Sequence, residues 1–295
     1  MSLLLKLARV FTLVLCLAAL GGCSLLRLGY GQLDTYAAWT ADEYFDLDPQ
    51  QKQEFRTRFE RLHEWHRREQ LPDYAAFFAQ TRKRLERGLA RDDVTWVIEG
   101  IRERYRSSVR HFAGDAAAML MTVTPAQLDA LQRKWGKDNQ RFISEYRLDK
   151  GAEEQRRERG RRILSRIRDW VGHLDGDQEQ KILAWANELP PIHAMRHEDR
   201  LRRQRELLQL MSQRGNQGEF AAKLRHWLLN WEEGRDPAFG RSFREWEQKQ
   251  ADFYPAVYGM LLPQQRTGVA ERLQGYIEDF TQLARRPAPQ AASSR

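Results

Sequence analysis

The chain lacks the residues that several common protein classes are built from. Two cysteines in 295 residues cannot staple a disulfide-rich scaffold. Ten prolines and 19 glycines are too few for a turn-rich β-sandwich. No Gly-x-Ser-x-Gly elbow, Walker loop or Gly-rich dinucleotide turn occurs. Long apolar runs are missing beyond the first 20 residues, and with 31% charged residues and a mean hydropathy of -0.73 the composition excludes a polytopic membrane protein. An aromatic share of 11%, including nine Trp, excludes a disordered chain. What is there in abundance is charge, with 49 Lys and Arg against 41 Asp and Glu for a net of +8.

Through the body of the chain apolar residues recur at spacings of three and four, and strict alternation is nearly absent. Val94, Val97, Ile101, Tyr105 and Phe112 form one such stripe, and Leu128, Leu131, Trp135 and Phe142 another. Further stripes are Ile163, Ile167, Trp170 and Leu174, then Phe220, Leu224, Trp227 and Trp231, then Val269, Leu273, Ile277 and Phe280. Arg, Glu and Gln occupy the opposite faces, the pattern of amphipathic helices around a shared core. The expected fold is all-α, an elongated or curved helical bundle.

Four helix starts share one local pattern: Leu47-Asp48-Pro49-Gln50-Gln51, Val123-Thr124-Pro125-Ala126-Gln127, Leu174-Asp175-Gly176-Asp177-Gln178 and Leu261-Leu262-Pro263-Gln264-Gln265. In the first two, Asp48 and Thr124 can cap the free amides, Pro49 and Pro125 suit the first helical position, and Gln51 and Gln127 complete a capping box. Asp175 and Gln178 do the same without proline, while Leu262 has no capping side chain. Leu47 to Leu174 spans 127 residues and Val123 to Leu261 spans 138, so a unit of about 130 residues is expected to occur twice. In this register Phe55, Leu62 and His66 correspond to Ile182, Leu189 and His193. The expected organisation is one helical unit at 33–150, a second at 151–286 and a disordered tail at 287–295.

The N-terminus reads as a secretory signal over residues 1–22. Lys6 and Arg9 precede a short apolar core from Val10 to Leu20, too short and too soon followed by Arg27 for a stable span. Leu20-Gly21-Gly22-Cys23 resembles the bacterial lipobox, which implies cleavage before Cys23 and attachment of diacylglycerol and an N-acyl chain to that residue. An ordinary signal peptide with an incidental cysteine is the alternative. Ser24 after the lipidated residue implies sorting to the outer membrane, with residues 23–32 as a lipidated terminus and short tether. Cys16 would leave with the signal, so the mature chain would hold no free thiol, which suits an oxidising compartment.

After that terminus comes Leu33-Asp34-Thr35-Tyr36-Ala37-Ala38-Trp39, then Asp42-Glu43-Tyr44-Phe45-Asp46-Leu47-Asp48-Pro49-Gln50-Gln51. This opening, marked by Asp34, Trp39, Asp42 and Tyr44, resembles an uncharacterised family of proteobacterial outer-membrane lipoproteins. The family implies no reaction and no catalytic residue. A weaker similarity is to the Spy/CpxP periplasmic proteins, helical stress chaperones with paired Leu-Thr-x-x-Gln motifs. Val123-Thr124-Pro125-Ala126-Gln127 is the nearest match, with Val for Leu.

His193 and His197 are the best metal candidates, because a spacing of four places both imidazoles on one helix face. His63-Glu64-Trp65-His66 superficially resembles a zinc-protease helix, but its histidines stand three apart, which favours a surface or interface pair. Asp92 and Asp93 fit compensation of a helix dipole better than acid/base catalysis. No catalytic residue and no cofactor beyond the lipid on Cys23 is expected. Arginine clusters at 102–106, 156–159 and 200–205 would suggest nucleic acid in the cytosol. Outside the inner membrane they suggest anionic lipid phosphates, acidic polymers or unfolded polypeptides instead. The expected protein is a non-enzymatic, lipid-anchored, periplasm-facing one, with a chaperone-like or scaffold role toward an unfolded client or an envelope protein. A periplasmic metal-dependent or hydrolytic enzyme using His193 and His197 is the alternative.

Overall fold

Each of the four marked helix starts begins a helix, and the way they meet organises the fold. The computed structural model describes residues 23–285. The expected signal at 1–22, with Leu20, Gly21 and Gly22, and the expected tail at 287–295 lie outside the described residues. The helices in chain order are α1 (Cys23–Gly31), α2 (Leu33–Phe45), α3 (Pro49–Trp65), α4 (Leu71–Glu86), α5 (Arg91–Met121) and α6 (Pro125–Glu145). They continue as α7 (Ala152–Val171), α8 (Gly176–Asn187), α9 (His193–Ser212), α10 (Gln217–Leu229), α11 (Pro237–Met260) and α12 (Pro263–Arg285). No strand occurs among the described residues, so the chain is an all-α bundle.

The starts of α3 and α6 meet through their glutamines. Gln51 Nε2 donates to Gln127 Oε1 at 3.1 Å and Gln127 Nε2 donates back to Gln51 Oε1 at 2.5 Å, a closed amide pair. Each Oε1 also accepts its own cap's backbone N–H, from Asp48 at 3.1 Å and from Thr124 at 2.9 Å. Each Nε2 spends its second proton on a carbonyl two residues before the partner's cap: Gln51 on Thr122 and Gln127 on Asp46, both at 2.9 Å. Both amides are thereby saturated and buried.

The starts of α8 and α12 repeat this arrangement bond for bond. Gln178 and Gln265 exchange hydrogen bonds of 2.9 and 3.0 Å, and accept from the backbone N–H groups of Asp175 and Leu262. Their second protons go to the carbonyls of Met260 and His173, again two residues before the partner's cap. Leu262 supplies no capping side chain, yet its half of the box survives, because the pair needs the glutamine and the backbone only. The apolar residue ahead of each cap, Leu47, Val123, Leu174 or Leu261, is buried.

One core gathers around each pair. Val123, Met211, Phe220 and Leu224 lie with the first; Ile182, Phe253, Val257 and Leu273 lie with the second. The halves of the chain interleave: α12 packs along α4, α10 and α11 along α5, and α9 against α6. Helix α5, with 31 residues, is about 46 Å long and packs against helices that serve each of the two cores.

One segment differs from the tether that its sequence suggests, and another departs from regular α-helix. Residues 23–31 are helical and lie against α12, where Arg27 pairs with the buried Asp279 at 2.9 Å. Burial raises the Asp279 carboxyl above the usual range, and Arg27 opposes that rise. A π-helical stretch, His66–Gln70, joins α3 to α4, with Arg67 buried and paired to Glu64. The inserted residue turns His66 toward α1, where its Nδ1 lies 3.0 Å from the Tyr30 hydroxyl.

Gln127→Ala leaves the Gln51 amide, the Thr124 N–H and the Asp46 carbonyl short of partners in a buried place. Urea denaturation is expected to show a loss of about 3 kcal/mol. The Gln51→Ala/Gln127→Ala double variant is expected to lose less than the sum of the singles. Additive single losses would show that the two amides do not act as one unit.

Candidate functional site: an open apolar groove

The two glutamine-centred cores are not equally covered. In the register that sets Gln51 on Gln178, Phe55, Phe59 and Leu62 of α3 correspond to Ile182, Ala186 and Leu189. The latter three are buried, at 0%, 0% and 3% exposure. Phe55, Phe59 and Leu62 are only partly buried, and they form one wall of an open apolar groove of about 360 Å³. Opposite stand Phe112 and Met119 of α5 and Trp227 and Leu228 of α10, with Val123 and Leu224 of the core below. A face that is core in one half of the molecule is therefore open in the other.

Among the described residues, Arg58 and Asp115 are the only charged ones lining this groove, and they pair with each other. Arg61 reaches the same Asp115 at 3.1 Å. A carboxylate or phosphate headgroup would therefore find no free cation among the described residues here, whereas apolar side chains would find fifteen apolar lining residues.

The family-like opening borders this groove. A second depression of about 480 Å³ shares Leu47, Phe55 and Phe59 with it and brings Asp34, Trp39 and Asp42 together. Trp39 is 57% exposed and Tyr36 61%, with their rings 5.9 Å apart. Asp42 holds the turn between α2 and α3: Oδ1 accepts the Leu47 N–H at 3.0 Å and Oδ2 pairs with Lys52 at 3.0 Å. Tyr44 points elsewhere, donating to Asp138 on α6 at 2.6 Å. Of the four opening residues, three therefore share a site, and one clamps α2 to α6.

His193 and His197 share a helix face, as their spacing requires, but that face meets aromatic rings. His193 stacks on Tyr146 at 4.2 Å and His197 on Phe142 at 5.8 Å. Among the described residues no group of three or more His, Cys, Asp and Glu is placed to hold a metal ion. His63 and His66 both face Tyr30, with ring centroids 4.6 and 5.8 Å away. Asp93 is buried at the start of α5. Burial works against its charge, but Arg84, the Ala90 amide and Arg87 hold its carboxyl below the usual range. It therefore acts as a structural cap.

The apolar stripes place Phe112 in the core, and the repeat sets Phe55 and Leu62 on Ile182 and Leu189, but neither singles out Phe59 or Met119. The available signal was the repeat itself, since one half has Phe55 and Phe59 where the other has the smaller Ile182 and Ala186. Large aromatic rings at positions that need little volume mark a surface with room beside it.

These features define an all-helical bundle built on two glutamine-paired helix starts, with an open apolar groove beside the first. The chain belongs to a family of unknown function, DUF6279, whose match covers residues 43–235. The match includes the first glutamine pair and both walls of the groove, and begins just after Asp34, Trp39 and Asp42. Comparison with curated proteins and with solved structures gave no match.

His66 and His193, equivalent in the repeat, are both pushed down to about 4, chiefly by burial. His63 adds to the effect at His66, and Arg196, Arg159, Arg162 and Arg166 add to it at His193. An unfolded histidine binds its proton near pH 6.5, so between about 6.5 and 4 the unfolded chain holds protons the native state does not. Stability is expected to be full above about pH 6.5 and to fall as the pH drops toward 4. His193→Phe keeps a ring on Tyr146 and removes one titration, so the difference in urea midpoint between about pH 7 and pH 5 should shrink. An unchanged difference would remove His193 from this account.

Proposed function

We propose that this protein is a lipid-anchored, periplasm-facing lipoprotein of the proteobacterial outer membrane. It is non-enzymatic and holds apolar segments of other envelope proteins in the groove between α3, α5 and α10. The observation that carries this reading is the groove itself, a core-grade face left uncovered in one half of a molecule whose other half covers the equivalent residues. Exposed patches of this kind on a folded protein mark sites of association. The paired charges at the rim and the exposed Tyr36 and Trp39 beside it suit the mixed side chains of a polypeptide better than a fatty acid.

The anchor reading rests on Leu20-Gly21-Gly22-Cys23, with diacylglycerol and an N-acyl chain on Cys23. No helix among the described residues is long and apolar enough to cross a membrane. Several acyl chains, each buried CH₂ contributing about 0.8 kcal/mol, would hold the protein firmly at the surface. Because α1 starts at Cys23 and docks on α12 through Arg27, the anchor would lead directly into the folded body.

A photoreactive phenylalanine analogue placed at Phe59 or Met119 in living cells is expected to give adducts with envelope proteins, and the same probe at exposed Gln132 is not. Phe59→Asp is expected to abolish the Met119 adducts without unfolding the chain. Many adducts that grow under envelope stress would mark a chaperone, and one discrete adduct a scaffold. Adducts no stronger than at Gln132, from a folded and anchored protein, would overturn the groove as a binding site. Cys23→Ala is expected to release the protein from the membrane fraction, and retention there would overturn the anchor.

A further inference from the structure

Among the described residues, four large apolar side chains are more than half exposed, and three of them stand on α1 and α2: Leu28 at 66%, Tyr36 at 61% and Trp39 at 57%. The two helices run on into each other across Gln32. Its N–H donates to the Gly29 carbonyl at 3.1 Å and its carbonyl accepts from the Tyr36 N–H at 3.0 Å. With about 3.6 residues per turn, Leu28, Gln32, Thr35, Tyr36 and Trp39 fall within one arc of about 100°. Arg27, Tyr30, Ala41 and Tyr44 fall in the opposite arc. These dock the pair on the body: Arg27 on Asp279, Tyr30 on His66, Ala41 along the groove and Tyr44 on Asp138. One side is committed to the fold, and the other is left outward.

The outward side is also free of charge. Of the residues exposed between Leu28 and Trp39, only Asp34 is charged, and it stands about 140° round the helix from Trp39. The exposed first turns of α7, by contrast, show Glu153, Glu154, Arg156 and Arg157. Tyr36 and Trp39 present their rings 5.9 Å apart. Such side chains, with an apolar body and a polar tip, concentrate at the boundary between lipid headgroups and acyl chains.

Position adds to chemistry. Because α1 begins at Cys23, no separate tether intervenes between that residue and this face. Trp39 is sixteen residues further on, about 24 Å along the helical path. We propose that the outward side of α1 and α2, marked by Leu28, Tyr36 and Trp39, lies against the lipid surface beside the anchor and orients the body on the membrane. The proposal rests on the reading of Cys23 as the lipidated residue and adds which side of the molecule meets the lipid. The helices lie on the membrane and do not cross it, with their apolar side chains among the headgroups. Trp39 also borders the depression that shares Phe55 and Phe59 with the groove, so a client's apolar segment would enter at the membrane surface.

The test uses the full chain extracted from cells and reconstituted into phosphatidylcholine vesicles, with and without nitroxide-labelled phosphatidylcholine. Once Cys16 has left with the signal and Cys23 is acylated, the parent offers no thiol. A cysteine introduced as Leu28→Cys, Tyr36→Cys or Trp39→Cys would then take a nitrobenzoxadiazole dye alone. Emission from each of these is expected to fall about twofold in the nitroxide vesicles, as for groups in the headgroup and upper acyl layer. Dyes at Asp34→Cys, on the other flank of α2, and at exposed Gln180→Cys on α8 should stay unquenched. In the Tyr36→Ser/Trp39→Ser variant, quenching at position 28 should fall by about half as the face loses its hold. Its thermal midpoint in detergent should match the parent's, because both rings are exposed.

Dye uptake by the parent, or failure of the protein to float with the vesicles, would overturn the anchor and this face with it. A protein that floats while positions 28, 36 and 39 are no more quenched than 34 and 180 would overturn the face alone and leave the aromatic pair to a protein partner. A large fall in the midpoint of the double variant would show that the rings pack within the body, and would overturn the face too.

Discussion

The reciprocal glutamine pair is the interaction on which the rest of this bundle depends. A primary amide has two donor protons and an oxygen with two lone pairs, and here each is used once: one within its own helix cap, three toward the partner helix start. The same side chain thereby closes a capping box and fixes where a second helix begins. No other residue type does both, since glutamate would lack the donors and asparagine is one carbon too short to close the box and reach across. A pairing of this kind resists sliding. Moving either helix by one residue would strand four polar groups in an apolar setting, and such groups are costly when unpaired and stiffening when satisfied.

Much of this was legible in the sequence, but only up to the limit of one helix. The capping boxes at Asp48, Thr124 and Asp175 follow from local chemistry, and the apolar stripes from a period of 3.6. Departures at the capping position, above all Leu262, weaken the likeness among the four starts when the motif is read as a cap. They matter little when it is read as a lock, because the lock uses the glutamine and two backbone groups. Which start pairs with which was not readable, since the partners stand 76 and 87 residues apart with several helices between. Periodicity also tells which face of α3 is apolar without telling whether another helix covers it. The open state of Phe55 and Phe59 could therefore be found only in three dimensions. His193 and His197 show the same limit, since their spacing is right for a shared ligand and their neighbours Phe142 and Tyr146 come from α6 and the residue that ends it.

The lock also accounts for the position of the groove. Pairing brings α3 and α6 together at their first turns and lets them diverge beyond, so the faces further along must be filled by other elements. In the second half this filling is complete, with Ile182, Ala186 and Leu189 buried. In the first half α2 is a 13-residue helix where its counterpart α7 has 20 residues, and it turns away at Asp46, which adopts a left-handed conformation with φ of 49°. Asp42 and Lys52 pin that turn, and Tyr44 ties the end of α2 to Asp138. The same residues that stabilise the entry to α3 thus hold α2 along one side of Phe55 and Phe59 without closing over them. An apolar face kept open by polar contacts made for another reason can persist in a stable fold without collapsing.

Charge follows a similar logic of local completion and remainder. With eight more cations than anions in the chain, not every arginine can find a carboxylate. On most helices the pairing runs within a turn or two, as between Glu158 and both Arg161 and Arg162. Such exposed pairs contribute little to stability and are screened by salt. An uncompensated arginine on an open surface is equally unremarkable, because water solvates it. The excess charge thus stays on solvated helix faces, apart from the apolar groove, where Arg58 and Asp115 neutralise each other.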